Sequence, residues 1–137
     1  MCSRSRFCRR QDRKPIELVF NLSKYLAEAV HQWSIGEHYE AHEIFEEFAE
    51  EVEDNDDDWE RALALCHVAA SVHKYLNNVS PSAVPGKLER ALPVLEKTPE
   101  DWFNLDMKTF QIQVRNMLDS IRRGEAVSVP ILRFKNR

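Results

Sequence analysis

At 137 residues the chain has room for one hydrophobic core and hardly for two, so a single domain is expected. An apolar share of 43% beside 31% charged residues is the balance of an ordinary folded, soluble chain, and no apolar run approaches the roughly 18–20 residues of a membrane span. The net charge of −4 hides an asymmetry: residues 1–14 hold Arg4, Arg6, Arg9, Arg10, Arg13 and Lys14 against Asp12, whereas residues 37–60 hold thirteen Asp or Glu and no Lys or Arg. The basic tail lacks interleaved aromatics and the acidic stretch repels phosphates, so specific nucleic-acid binding is not expected. Attraction between tail and acidic patch, or of either to other molecules, is.

The three cysteines, Cys2, Cys8 and Cys66, form an odd set without paired spacing. They suggest neither a disulfide frame nor a zinc site, and a reducing compartment is the simpler reading. The Arg- and Ser-rich opening is transit-like in composition but short and without an apolar core, so a trimmed targeting segment and a plain disordered tail both stay open.

Only three glycines and few alternating β-branched runs point to helices. The first is expected from Pro15 to about Trp33, with Val19, Phe20, Leu22, Leu26, Ala29, Val30 and Trp33 at helical spacing and Gly36 ending it in a left-handed turn. The second spans about Glu37 to Glu53. Asp54–Asp58 reads as a solvated break that offers an N-cap, with Asp57 and Glu60 spaced like a capping box. Helix three, Trp59 to about Leu76, is apolar nearly all round and therefore central, and its Cys66-Ala69-Ala70 face is small enough for close helix approach.

A turn-rich connection, NNVSPSAVPG, leads to a fourth helix near Pro85, carrying Leu88, Ala91, Leu92 and Leu95, which Pro93 should shorten or kink. Thr98–Asp101 reads as a capped turn that sends Trp102 inward. Helix five runs from about Asp106 to Arg123 with Phe110, Val114, Met117, Leu118 and Ile121 as its stripe and Gly124 as its stop. The extended end carries Ile131, Leu132 and Phe134 for the body or for a partner. The expected fold is all-α, a compact bundle of about five helices with helix 59–76 central. It comprises a basic tail (1–14), one helical domain (15–124) and an extended tail (125–137).

Residues 37–53 concentrate the chemistry. Phe45, Phe48 and Val52 fall within about 40° of Ala41 on a helical wheel and form a core stripe with it. His38, His42 and Glu46 follow on its flank, one turn apart, and Glu43, Glu47, Glu50 and Asp54 face away. Histidines at i and i+4 with a carboxylate one turn on can hold one divalent metal, so His38, His42 and Glu46 are the candidate ligands. Alternatively Glu43 or Glu46 orients one histidine nitrogen and leaves the other as a base. Packing alone asks for less: a supporting His42–Glu46 pair, a first-turn His38 near solvent, a satisfied core His73, an exposed His67 and solvated acids at 50–58.

YEAHEIFEE at 39–47 resembles the signature of the family catalogued as domain of unknown function 309. LCHVAASVH at 65–73 is similar to that family's Leu-x-Gln-x-Ala-Ala-x-x-His helix, and Asn77 or Asn78, Gly86, Leu88 and Arg90-Ala91-Leu92 resemble its downstream pattern. NLDM at 104–107 resembles the start of its last helix, so the likeness covers about residues 20–123. It implies an all-α bundle, an intracellular setting (cytoplasmic, or organellar of plastid type if residues 1–14 are a targeting remnant) and no established activity. The positions it carries over are Tyr39, Glu40, His42, Glu43, Glu46, Ala69, Ala70, His73 and Gly86. Ala49 stands where the family has tryptophan, which enlarges any pocket beside His42, and His67 where it has glutamine.

Two functional readings follow. The first is a non-catalytic protein-interaction or self-association module, a homo-oligomer or partner-binding protein. In it Tyr39, Glu40, His42, Glu43, Glu46 and His73 form a structural polar network, with His42 and His73 facing each other across Ala69 and Ala70. The alternative is a metal-dependent, hydrolase-like or small-ligand-binding protein using the His42/Glu46 edge; no cofactor is established, and a divalent metal is the one the residues suggest.

Overall fold

A computed structural model describes residues 15–135, with residues 15–20 in backbone only. The basic tail, Cys2, Cys8 and the side chains of Val19 and Phe20 therefore lie outside the described residues. The helices are α1 (Pro15–Ser34), α2 (His38–Glu51), α3 (Asp56–Leu76), α4 (Val84–Lys97) and α5 (Met107–Arg123), with short 3₁₀ turns at Pro81–Ala83 and Trp102–Asn104. The all-α bundle is as expected, and among the described residues the only extended pairing is an isolated bridge between Leu105 and Phe134.

Each helix packs chiefly on the next in sequence, which places α3 between α2 and α4. Its Ala62, Leu65, Cys66, Val68, Ala69 and Val72 are buried. Its ends are not: Trp59 and Leu76, which the wheel assigns to apolar faces, are exposed. Both lie toward the ends of the helix.

Three features differ from expectation for physical reasons. Asn55, rather than Asp57, caps α3 by accepting from the Asp58 N–H at 3.1 Å. This leaves Asp56, Asp57 and Asp58 in the first turn, where the helix dipole favours negative charge. α4 runs through Pro93 to Lys97. An interior proline costs about 3 kcal/mol, but Leu88, Ala91, Leu92 and Leu95 are buried on both sides of it and outweigh that cost. The acids at 50–58 are not uniformly solvated: Glu51 is only 3% exposed, and Asp58 Oδ1 accepts from Trp102 Nε1 at 2.7 Å.

The segment after α5 is a strap on the body. Gly124 takes the left-handed conformation (φ +69°) that ends the helix. Farther on, Trp33 Nε1 donates to the Pro130 carbonyl at 2.8 Å, the Ile131 N–H donates to Gln113 Oε1 at 2.7 Å, and the Asp106 N–H donates to the Arg133 carbonyl at 2.9 Å. Leu132 is buried as a result, Phe134 partly so, and Ile131 stays exposed.

The Trp33–Pro130 bond is buried, so Trp33→Phe removes a donor and leaves the carbonyl unmet. We expect a loss of about 1–2 kcal/mol in urea unfolding and faster hydrogen exchange at the Asp106 and Lys135 amides. Unchanged exchange at those amides would show that the strap is held without this bond.

Candidate functional site

The site forms where α2 and α3 come closest. The α2 stripe of Ala41, Phe45 and Phe48 is fully buried, which leaves His42 partly covered on its flank and Glu46 one turn farther out. α3 answers with Ala62, Cys66 and Ala69, all buried and small, so the two backbones approach closely. The Cys66 thiol accordingly donates to the His42 carbonyl at 3.6 Å.

This close approach brings three donor types together. One ligand atom from each of His42, Glu46 and Cys66 lies within 4.8 Å of the others. His42 Nε2 is 3.6 Å from Glu46 Oε2, an ion-pair contact longer than a good hydrogen bond, with Glu46 55% exposed. His42 Nδ1 is buried and makes no hydrogen bond. Burial, reinforced by the Glu46 charge, pushes the Cys66 thiol up to about 12, while Lys87 of α4 acts in the opposite direction. A cleft of about 310 Å³ opens beside Glu46, with Ala49, Trp59 and Leu63 in its walls.

The other expected site residues fall elsewhere. His42 and His73 do not face each other directly. The exposed Tyr39 ring contacts both, with centroids 5.5 Å from His42 and 5.2 Å from His73. His73 is half-buried rather than core, and its Nδ1 lies 3.2 Å from Asn77 Nδ2. Glu40 and Glu43 are exposed and stand outside the three-residue group. His67 is exposed, yet crowding by its neighbours lowers its pKa, with the Lys87, Arg90 and His42 charges adding to the effect.

His38 is the clearest correction. It is neither near solvent nor part of the ligand group: it is 5% exposed and stands edge-on to Trp33, centroids 5.1 Å apart. The cause is the turn between α1 and α2. Gly36 at φ +84° lets the Glu37 N–H return to the Gln32 carbonyl and folds the start of α2 back against Trp33. Neither ring nitrogen of His38 makes a hydrogen bond of good geometry, and the nearest polar partner is the Gly36 backbone. Burial lowers its pKa, His73 adds to that, and the Gly36 backbone and Glu37 oppose it.

Cys66 is the functional candidate that spacing missed. Its signal was the small-residue face of helix three, because a thiol on a closely approached face must lie near the neighbouring helix. No family model matches this chain, and no curated protein or solved structure is significantly similar to it.

The lowered pKa of His38 has a definite sign in stability. The folded state resists protonation, so stability is full above the unfolded pKa of 6.5 and falls as pH drops below it, levelling once the folded pKa is passed. We expect the urea midpoint to fall between pH 7.5 and pH 5, and to fall less in His38→Phe, which keeps the ring contact with Trp33. Equal falls in the two proteins would assign the effect to other groups.

Proposed function

We propose that this protein binds a divalent transition metal at the α2–α3 edge through His42 nitrogen, Glu46 oxygen and Cys66 sulfur. The observation that carries the reading is the convergence of these three ligand atoms within 4.8 Å. A tetrahedral zinc site separates its ligand atoms by roughly 3.5 Å, so small side-chain adjustments bring the three atoms onto one ion. A thiolate beside an imidazole and a carboxylate favours zinc or cobalt and disfavours magnesium or calcium. Three protein ligands leave a fourth position for water or a small ligand, the arrangement on which metal-assisted hydrolysis depends.

The resemblance of the Tyr39–Glu47 stretch to the domain of unknown function 309 family supports the same edge, since His42 and Glu46 belong to its signature. A polar network that fixes helix register is less well supported. Such a network needs its buried groups paired, and His42 Nδ1 makes no hydrogen bond.

Calorimetric titration of Zn²⁺ and Co²⁺ into the reduced protein should give one site, and the Co²⁺ form should show a thiolate-to-cobalt charge-transfer band. His42→Ala and Cys66→Ala each weaken binding by at least about a hundredfold, because even outer-shell changes cost about 10–100-fold. Glu43→Gln binds as the parent does. Ligation displaces the Cys66 proton from a thiol held at about 12, so affinity rises about tenfold per pH unit between pH 7 and 8. Absence of heat and of the charge-transfer band, or equal binding in Cys66→Ala, sinks the proposal.

A further inference from the structure

The cleft beside Glu46 has a feature that metal binding leaves unexplained. Of the three tryptophans, Trp33 and Trp102 are buried, their indole N–H groups donate to protein acceptors, and their rings meet phenylalanines edge-on. Trp59 is 41% exposed and makes no such contact among the described residues. It forms one wall of the cleft with Leu63, a turn farther along α3, while Ala49, Glu46, Glu50 and Glu53 form the other. No Lys, Arg or His is among the described residues that line it. Arg61, the first cation after the acidic stretch 37–60, is turned to Asp58 at 3.3 Å.

An indole face beside carboxylates favours a cation, and the apolar wall of Trp59 and Leu63 favours one carried on an apolar stem over a bare metal ion. Arginine meets both demands, because its guanidinium is weakly hydrated and stacks on aromatic rings. Residues 1–14 hold five arginines and a lysine against one acid, and they lead directly into α1 at Pro15. Residues 35–37 alone join α1 to α2, and the two helices pack on each other as a hairpin, so the end of α2 lies beside the first half of α1. At the helical rise per residue, Pro15 stands roughly 10 Å past the last turn of α2. A segment of this length spans up to roughly 46–50 Å when extended, so it reaches Glu50, Glu53 and Trp59.

We propose that the basic segment 1–14 docks along this cleft of its own chain, with an arginine guanidinium on the Trp59 ring and neighbouring cations on the acidic rim at the end of α2. Tethering gives the segment a local concentration on the order of millimolar, at which weak surface pairs suffice. Seated there, it covers the solvent side of Glu46 and with it the approach to the α2–α3 edge. Docking needs no metal at that edge, so it is tested with His42, Glu46 and Cys66 unchanged and no metal added.

The segment carries its own handle for the test. A nitroxide placed on Cys8 in Cys2→Ser leaves Cys66 unlabelled, because that thiol is buried and pushed up to about 12. In the full-length, isotope-enriched protein the nitroxide should broaden the Ala49, Glu50, Glu53 and Leu63 amides and the Trp59 indole N–H, and spare Leu76 and Asn77 at the far end of α3. Arg9→Gln, Arg10→Gln, Arg13→Gln and Lys14→Gln together should cut the broadening at least about threefold. About 1 M NaCl, which shortens the screening length to about 3 Å, should do the same. Trp59→Ala, at an exposed position, should cut it about two- to fivefold at Ala49 and Leu63 with melting temperature retained. A mixture of spin-labelled unenriched chains with enriched unlabelled chains should show none of it. Broadening that is absent from the cleft, that survives neutralisation of the segment, or that appears in the mixture, where the occupant is a second copy, overturns the proposal.

Discussion

The Trp33 indole joins the end of α1 to the rest of the bundle: its ring meets Phe45 of α2 and Phe110 of α5 edge-on, stands against His38, and its Nε1 holds the Pro130 carbonyl of the strap. Edge-to-face aromatic pairs add roughly 0.5–1.5 kcal/mol each beyond the area they bury, and the indole N–H needs a buried acceptor. Consecutive helices pack on one another by local contact, and through Trp33 α1 also reaches α5 and the tail. The fate of His38 follows from it, since the same ring that closes the bundle also covers that imidazole.

At the α2–α3 edge a different constraint rules. Large side chains would hold the helices apart, whereas Ala41, Ala62, Cys66 and Ala69 let them meet. Close approach brings the Cys66 thiol beside an imidazole and a carboxylate, and denies His42 Nδ1 both water and a protein partner. The chemical interest of this edge is therefore a product of packing, with the carboxylate of Glu46 as the element that still reaches solvent.

How much of this could be read in advance depends on sequence distance. The helices, their stripes and the left-handed stops at Gly36 and Gly124 are local consequences of periodicity and turn chemistry, and they are found where expected. His42 and Glu46 are four residues apart, so the helical wheel alone brings them together. Cys66 is 24 residues from His42, and Asp58 is 44 from Trp102; only the packing of separate elements makes these pairs neighbours. His38 departs from expectation for a related reason. A helical wheel assigns a flank, but the backbone angles of the preceding turn decide what that flank meets.

The order in which the helices pack has a kinetic side. Contacts between neighbours in sequence close short loops at little entropic cost, so the succession from α1 to α5 is a topology of low contact order that folds quickly. The bond from Trp33 to Pro130 spans 97 residues and has meaning only once both ends of the bundle are in place. The strap is thus expected to dock after the helices have packed. Its hold on the body is a few hydrogen bonds and one buried leucine, little beside the apolar stripes that hold the five helices together.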